Sequence, residues 1–269
     1  MDKLKDTNRV LVLVKIDITI YLLNIQKNTT FELIMKTTKH TFFCKSISEL
    51  NLSEEESHHA IRVLRLKLGD YITLIDGNGT TAVGEITELK KKSLQYKIVN
   101  SRYEAPFSPE IHIAIAPTKS NDRFEFFLEK VTELGISSIT PLQCSNSERK
   151  NIKLDRFEKI VMSAVKQSGN LHLPKVYDLT KFSDFISELS SDMTYFIAHC
   201  EEDQLKKELK DNLQNIKKVC ILIGPEGDFT TEEINLAKTN NVNPISLGQS
   251  RLRTETAGII ACHTVRLIS

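Results

Sequence analysis

The sequence predicts an α/β protein in which a small β-rich module precedes a parallel sheet flanked by helices. Three observations predict it. Between Phe42 and Val99, short β-like runs alternate with turn signals. Beyond Ile111, strand-like runs alternate with apolar repeats of helical period, the pattern of a parallel α/β sheet. Near the C-terminus, two glycine-marked loops each follow an apolar run and precede a helical pattern. That arrangement puts both loops at the carboxyl ends of parallel strands, where open α/β sheets bind ligands.

In the first module, Tyr71–Ile75 runs into Asp76-Gly77-Asn78-Gly79, a strong hairpin signal. Thr81–Thr87 and Ser93–Val99 continue as strands around Lys90-Lys91-Lys92. The run Ala105–Pro109 is a linker. Ile111–Ala116 is a buried strand, and Phe124, Phe127, Leu128, Val131 and Leu134 mark a helix stopped by Gly135. Ile136–Leu142 is the next strand, followed by a helix carrying Phe157, Ile160, Val161, Ala164 and Val165 and closed by Gly169. Thr194–Ala198, Val219–Ile223 and Pro244–Leu247 supply further strands. Thr230 and Glu233 form a capping box, with Phe229 and Ile234 as its hydrophobic staple. Thr254-x-x-Ala257 opens the last helix.

Composition sets bounds on function. The 269 residues are 40% hydrophobic and 26% charged, ordinary for a globular protein. A formal net charge of +1 gives no bulk signal for a nucleic-acid partner, so any such partner needs clustered basic residues. Cys44, Cys144, Cys200, Cys220 and Cys262 are odd in number and form no C-x-x-C pair. They read as reduced, mostly buried thiols of a cytosolic protein, with neither a zinc site nor a disulfide. Val10–Ile25 is apolar but interrupted by Lys15 and Asp17, and is shorter than the ~20 residues that span a bilayer. No membrane anchor and no secretory signal are expected there.

The loop Gly224-Pro225-Glu226-Gly227-Asp228 carries carboxylates and no lysine, which separates it from a phosphate cradle. Paired glycines let the backbone approach a ligand, and Pro225 stiffens the turn between them. Backbone groups beside carboxylates suit a small ligand with a cationic part, such as a sulfonium cofactor. A side chain at Gly224 is expected to enter the ligand's space. On spacing alone, the loop is equally well a tight turn after a strand.

From about Met35 to the end, the chain resembles the SPOUT methyltransferases. It is most similar to the bacterial small-subunit ribosomal RNA methyltransferase E family, which methylates N3 of one uridine in 16S ribosomal RNA. The resemblance rests on an ordered set of motifs. These are His59-Ala60-Ile61-Arg62-Val63-Leu64-Arg65, Gly69-Asp70, Lys119, Glu125 to Gly135, and Thr140-Pro141-Leu142. Ser147-Glu148-Arg149, Gln167-Ser168-Gly169, Gly224-Pro225-Glu226-Gly227 and Leu252 to Ala257 complete it. Two departures stand out: Lys166 replaces an acidic residue, and Asn170-Leu171 replace an arginine after Gln-Ser-Gly.

The resemblance implies three segments. Residues 1–34 are an extension upstream of the family match, 35–104 a PUA-like RNA-binding β-barrel domain, and 105–269 a SPOUT domain with a C-terminal trefoil knot. It implies S-adenosyl-L-methionine as cofactor, held by Leu222, Gly224, Glu226, Gly227, Leu247, Gly248, Leu252 and Arg253. Glu226 either meets the ligand's positive part or braces the loop. Arg253 would steady the uridine anion, and Glu255 would brace the loop or accept the proton. A solvated helix start is the plainer reading of both. Arg62 and Arg65, at helical spacing with His58 or His59, would join Lys90, Lys91 and Lys92 in gripping RNA phosphates. No metal ligand set recurs at the right spacing. A cytoplasmic homodimer acting on small-subunit ribosomal RNA, in an assembled or nearly assembled subunit, follows from the resemblance. Two alternatives stay open: a SPOUT enzyme acting on another RNA base or on transfer RNA, and a non-catalytic RNA-binding assembly factor.

Overall fold

The computed structural model describes residues 38, 40–202 and 206–268. The expected extension over 1–34 lies outside the described residues. The chain divides into two compact units. One gathers the described residues up to Asp76 with Thr80–Tyr103; the other gathers Gly77–Gly79 and the chain from Glu104 onward.

The first unit holds β1 (Thr41–Phe43), α1 (Glu54–His58), β2 (Tyr71–Ile75), β3 (Thr80–Lys90) and β4 (Ser93–Tyr103). They form one sheet in the order β1-β2-β3-β4, with β1 parallel to β2 and the other pairs antiparallel. Its core is built on strand alternation: Phe42, Ile72, Leu74, Ala82 and Leu94 are fully buried. Gly84 sits where an added Cβ would lie 3.1 Å from Leu74 and 3.2 Å from Tyr96, so any side chain there would crowd this core. Register breaks after Val83 and after Ile86 curl β3 against β4, as bulges do. Ser53 caps α1 by accepting from the Glu56 amide at 3.2 Å. The helix then loosens into a π-helical turn over His59–Val63 and ends at Leu64.

That ending corrects one expectation. Arg62 lies in the π turn, but Arg65 lies past it with φ of 55°, so the two arginines do not share a helical face. The spacing predicted a helix through Arg65; the chain leaves it two residues earlier, after Val63.

The second unit contains β5 (Glu110–Ile115), α2 (Asn121–Glu133), β6 (Ser138–Gln143), α3 (Leu154–Ser168), β7 (Lys175–Val176) and β8 (Thr180–Lys181). It continues with α4 (Phe182–Ser187), β9 (Thr194–Ala198), β10 (Lys207–Glu208), β11 (Lys218–Ile223), α5 (Thr231–Thr239), β12 (Asn243–Ser246) and α6 (Thr254–Ile268). Every strand pairing is parallel, in the order β10-β12-β9-β11-β5-β6-β7, with β8 on β6. Along β11, Val219, Ile221 and Ile223 join the core with Phe127 and Val265, while Cys220 and Leu222 join the opposite core with Phe229 and Ile234. The near-continuous apolar run is what a strand covered on both faces requires.

Strands β6 and β12 are each displaced by one or two residues from the expected ranges, and β4 runs on to Tyr103. The two-residue strands β7, β8 and β10 and the six-residue α4 are too short to show a period in sequence. Gly135 and Gly169 adopt φ of 78° and 77°, the left-handed geometry that ends a helix. The departure at Asn170 has a local purpose: its Nδ2 donates to the Thr132 and Glu133 carbonyls at 2.6 and 3.2 Å, closing the end of α2. Arg266 closes the same end, donating to Leu134 and Gly135, and also donates to Pro109 at 2.8 Å. Leu171 is simply buried. The Ala105–Pro109 stretch is thus no free linker: the Arg266 guanidinium sits 4.9 Å over the Phe107 ring. Among the described residues, no helix is long and apolar enough to cross a membrane.

Candidate functional site

A cavity of about 560 Å³ opens at the carboxyl ends of β9, β11 and β12, against the start of α6. The loop after β11 forms one wall. Gly224 is buried, and an added Cβ would meet the Phe229 ring and the Phe229 nitrogen at 3.1 Å. A side chain at Gly224 would therefore crowd Phe229 at the cavity wall, because Gly224 itself lines the cavity. Asp228 has φ of 63°, and its two carboxylate oxygens accept from the Cys200 amide at 2.7 Å and the Phe229 amide at 2.8 Å. The Asn146 Nδ2 donates to the Gly227 and Asp228 carbonyls at 3.2 and 3.1 Å. Glu226 accepts from the Lys119 amide at 3.0 Å, so its carboxylate braces this loop against the one after β5.

The capping box behind the wall is complete. Thr230 Oγ1 accepts from the Glu233 amide, and Glu233 accepts from the Thr230 amide at 2.9 Å. The other Glu233 oxygen accepts from the Ser145 amide at 2.8 Å, linking α5 to the loop after β6. Phe229 and Ile234 are both buried, as a staple requires.

The loop after β12 forms the facing wall. Leu247, Gly248, Leu252 and Arg253 line the cavity, and Gly248 adopts φ of 118°. The Thr254 hydroxyl donates to the Gly224 carbonyl at 3.1 Å, tying the start of α6 to the first glycine loop. Glu255 is buried at the cavity wall, with its carboxylate 3.9 Å from Arg123 Nε. Arg253 is exposed at the same rim.

Of the residues expected around a cofactor, Gly224, Glu226, Leu247, Gly248, Leu252 and Arg253 line this cavity. Leu222 and Gly227 do not. Strand alternation turns Leu222 into the core and brings Ile223 to the cavity, while Gly227 faces Asn146, whose Cβ would be 3.2 Å from an added methyl. Sequence reasoning missed Arg123, Cys200 and Lys206, which also line the space. Cys200 was within reach, because β9 was expected and its carboxyl end leads straight to it. Arg123 had no such signal; it arrives only because α2 packs beside α6. Burial, reinforced by Asp228, pushes the Cys200 thiol up. The described residues hold no cluster of His, Cys, Asp and Glu fit for a metal.

The chain matches the RNA methyltransferase domain model over residues 105–266 and the RNA methyltransferase PUA domain model over residues 52–99. It is 30% identical to the ribosomal RNA small subunit methyltransferase E of Rickettsia conorii over 217 residues, covering 80% of this chain and 88% of the relative. This chain belongs to the ribosomal RNA small subunit methyltransferase E family. The same-named protein of Synechocystis is 30% identical over 79% of this chain and 71% of its own length. The Neisseria gonorrhoeae family member, solved bound to S-adenosyl methionine, superposes with a TM-score of 0.73 at 26% identity, over 85% of this chain and 97% of that one. A Porphyromonas gingivalis structure reaches a TM-score of 0.78 at 34% identity, over 85% and 98% of the two chains. The fold is thus the family's: a PUA-like unit and a parallel α/β methyltransferase unit.

In the PUA-like unit, Arg62, Arg65 and Lys91 are exposed. Lys90 pairs with Glu88 at 2.9 Å and Lys92 with Glu54 at 2.6 Å. Exposed pairs of this kind are worth ~0–1 kcal/mol and exchange readily for a phosphate.

Proposed function

We propose that this RNA methyltransferase uses S-adenosyl-L-methionine to methylate N3 of a uridine in 16S ribosomal RNA. The observation that carries the cofactor is the cavity between the two glycine loops. Its size lies within the ~300–1,000 Å³ range of small-ligand sites. Its walls offer apolar surface from Ile223, Leu247 and Leu252, the Glu255 carboxylate and the second oxygen of Glu226, with Asp228 bonded to two backbone amides beside them. That donor set fits a ligand with a flat nucleoside and a cationic sulfonium. When bound, the cofactor supplies an electrophilic methyl group.

The chain's own residues would do the rest. A uridine imide must lose its proton before its ring nitrogen can attack. Arg253, exposed at the rim, would stabilise the negative charge spreading onto the base oxygens. Glu255, beside Arg123, holds the start of α6 or takes the proton. Leu222 and Gly227 would act from behind the wall rather than in it.

Arg62, Arg65, Lys90, Lys91 and Lys92 would hold RNA phosphates. A cytoplasmic homodimer fits the exposed apolar side chains of two neighbouring helices: Phe126 on α2, and Ile260 and Leu267 on α6. Burying them against a second copy removes apolar surface from water. We infer a trefoil knot as well, supported by the order β12-β9-β11-β5, in which the chain returns across its own sheet before α6. The substrate would be small-subunit RNA in an assembled or nearly assembled subunit.

Mass mapping of methylated bases in small-subunit RNA, with and without the protein, tests the substrate. Loss of one 3-methyluridine is expected. A change confined to transfer RNA or to another base would defeat the uridine reading.

A further inference from the structure

The chain as a whole carries a net charge of +1, yet residues 149–166 hold six basic side chains and two acidic ones, a local net charge of +4. This excess sits in the methyltransferase unit, on α3 and the loop before it. Two of its members are committed to structure. Arg149 donates to the Thr118 carbonyl at 2.9 Å and to the Lys119 carbonyl, and Arg156 grips Glu125 of α2 with contacts of 2.6 and 2.8 Å. Lys150, Lys153 and Lys159 are exposed, and none of them forms an ion pair or a side-chain hydrogen bond with the described residues. Lys153 and Lys159 flank Arg156 around a hollow at the start of α3.

The committed arginines show where this face lies. Arg149 holds the loop whose Lys119 amide donates to Glu226 on the cavity wall. Arg156 holds Glu125, two residues along α2 from Arg123, which also lines the cavity. Three free ammonium groups therefore stand on a support bonded to α2 and to the loop whose Lys119 amide meets the cavity wall. Asp155 and Glu158 are the acidic groups on the same helix, too few to neutralise them. Unpaired lysines on a fixed backbone suit the regularly spaced charges of a nucleic-acid strand.

We propose that Lys150, Lys153 and Lys159 form a phosphate-gripping ledge of the methyltransferase unit itself. The ledge holds the RNA strand beside the cavity, in addition to any grip by the PUA-like unit. The proposal rests on the reading of ribosomal RNA as substrate.

The test uses the full chain carrying Lys150→Gln, Lys153→Gln and Lys159→Gln together, with small-subunit ribosomal RNA as probe and poly-glutamate as control. The log-log salt dependence of RNA binding should flatten by about two to three units, close to one per lost contact. Affinity near physiological salt should fall at least about tenfold. Cofactor affinity and the thermal midpoint should not change, because the three side chains are solvated and touch neither the cavity nor a core. An unchanged slope, with Arg62→Gln and Arg65→Gln lowering it in the same assay, would overturn the ledge and leave the RNA reading intact. Loss of poly-glutamate binding with an unchanged RNA slope would assign the face to an acidic protein and also overturn it. A wild-type protein that binds no small-subunit RNA would overturn both.

Discussion

The two glycine loops face each other across one cavity, yet they are built in opposite ways. The loop after β11 is held at nearly every position. Glu226 is bonded to Lys119, Asp228 to Cys200 and Phe229, and the Gly227 and Asp228 carbonyls to Asn146. The loop after β12 has only the Ser246 hydroxyl bridging Gly248 at 2.9 and 3.2 Å before α6 begins. Gln249, Ser250 and Arg251 are exposed, with no such bonds among the described residues. One wall is formed before any ligand arrives; the other keeps its backbone groups available. A site with a rigid wall and an open lip can bind a small molecule and still admit a large substrate. Mutations in the two loops should therefore differ in kind: stability at the first, chemistry at the second.

The largest expected effect belongs to the open lip. Arg253→Ala should lower turnover with bound RNA by roughly 10²–10³-fold, the scale of losing one charge-stabilising donor. The fold should hold, because Arg253 is exposed. Single-turnover kinetics beside RNA-binding curves would check it; equal losses in affinity and turnover would make Arg253 one more phosphate contact.

At the rigid wall, Gly224→Val should cost about 1–3 kcal/mol of stability, because its side chain is driven into Phe229. Cofactor affinity should fall with it as the wall shifts. Denaturant unfolding paired with calorimetry separates the two, and an unchanged midpoint would mean the wall yields more easily than its bonds imply.

Asp228→Ala removes the acceptor of two backbone amides. A loss of about 1–2 kcal/mol follows if water replaces it incompletely. Amide exchange at Cys200 and Phe229 should quicken in this variant, and unaltered protection there would contradict the bracing role.

The smallest effect is expected at Gly248→Ala. Open space surrounds the added methyl, so the stability cost is backbone strain alone, about 1 kcal/mol at a φ of 118°. If this variant proved as damaging as Gly224→Val, the contrast between the walls would fail.

Much of this organisation was legible in the chain. Periodicity separated the β-rich half from the α/β half, the capping box at Thr230 and Glu233 formed as written, and the hairpin at Asp76–Gly79 joins β2 to β3. These are local signals, in which a residue type and its near neighbours decide a backbone state. The α1 ending failed because sequence spacing continues past a point where the backbone turns left-handed, at Arg65. Leu222 and Gly227 were placed at the cavity by position in a motif, which does not say which way a residue faces.

By itself, the sequence determined the alternation of strands and helices, the helix ends at Gly135 and Gly169, and the two glycine-marked loops that line the cavity. Each depends on hydrophobic period, capping groups or glycine geometry within a few residues. Only the tertiary structure decided that Arg123 stands against Glu255, that Glu226 accepts from the Lys119 amide, and that Asn170 closes the end of α2. Those partners lie 132, 107 and 38 residues apart in the chain. No local propensity links such distant positions. Strand order and helix packing bring them within bonding distance, and the burial that results fixes what each polar group must do.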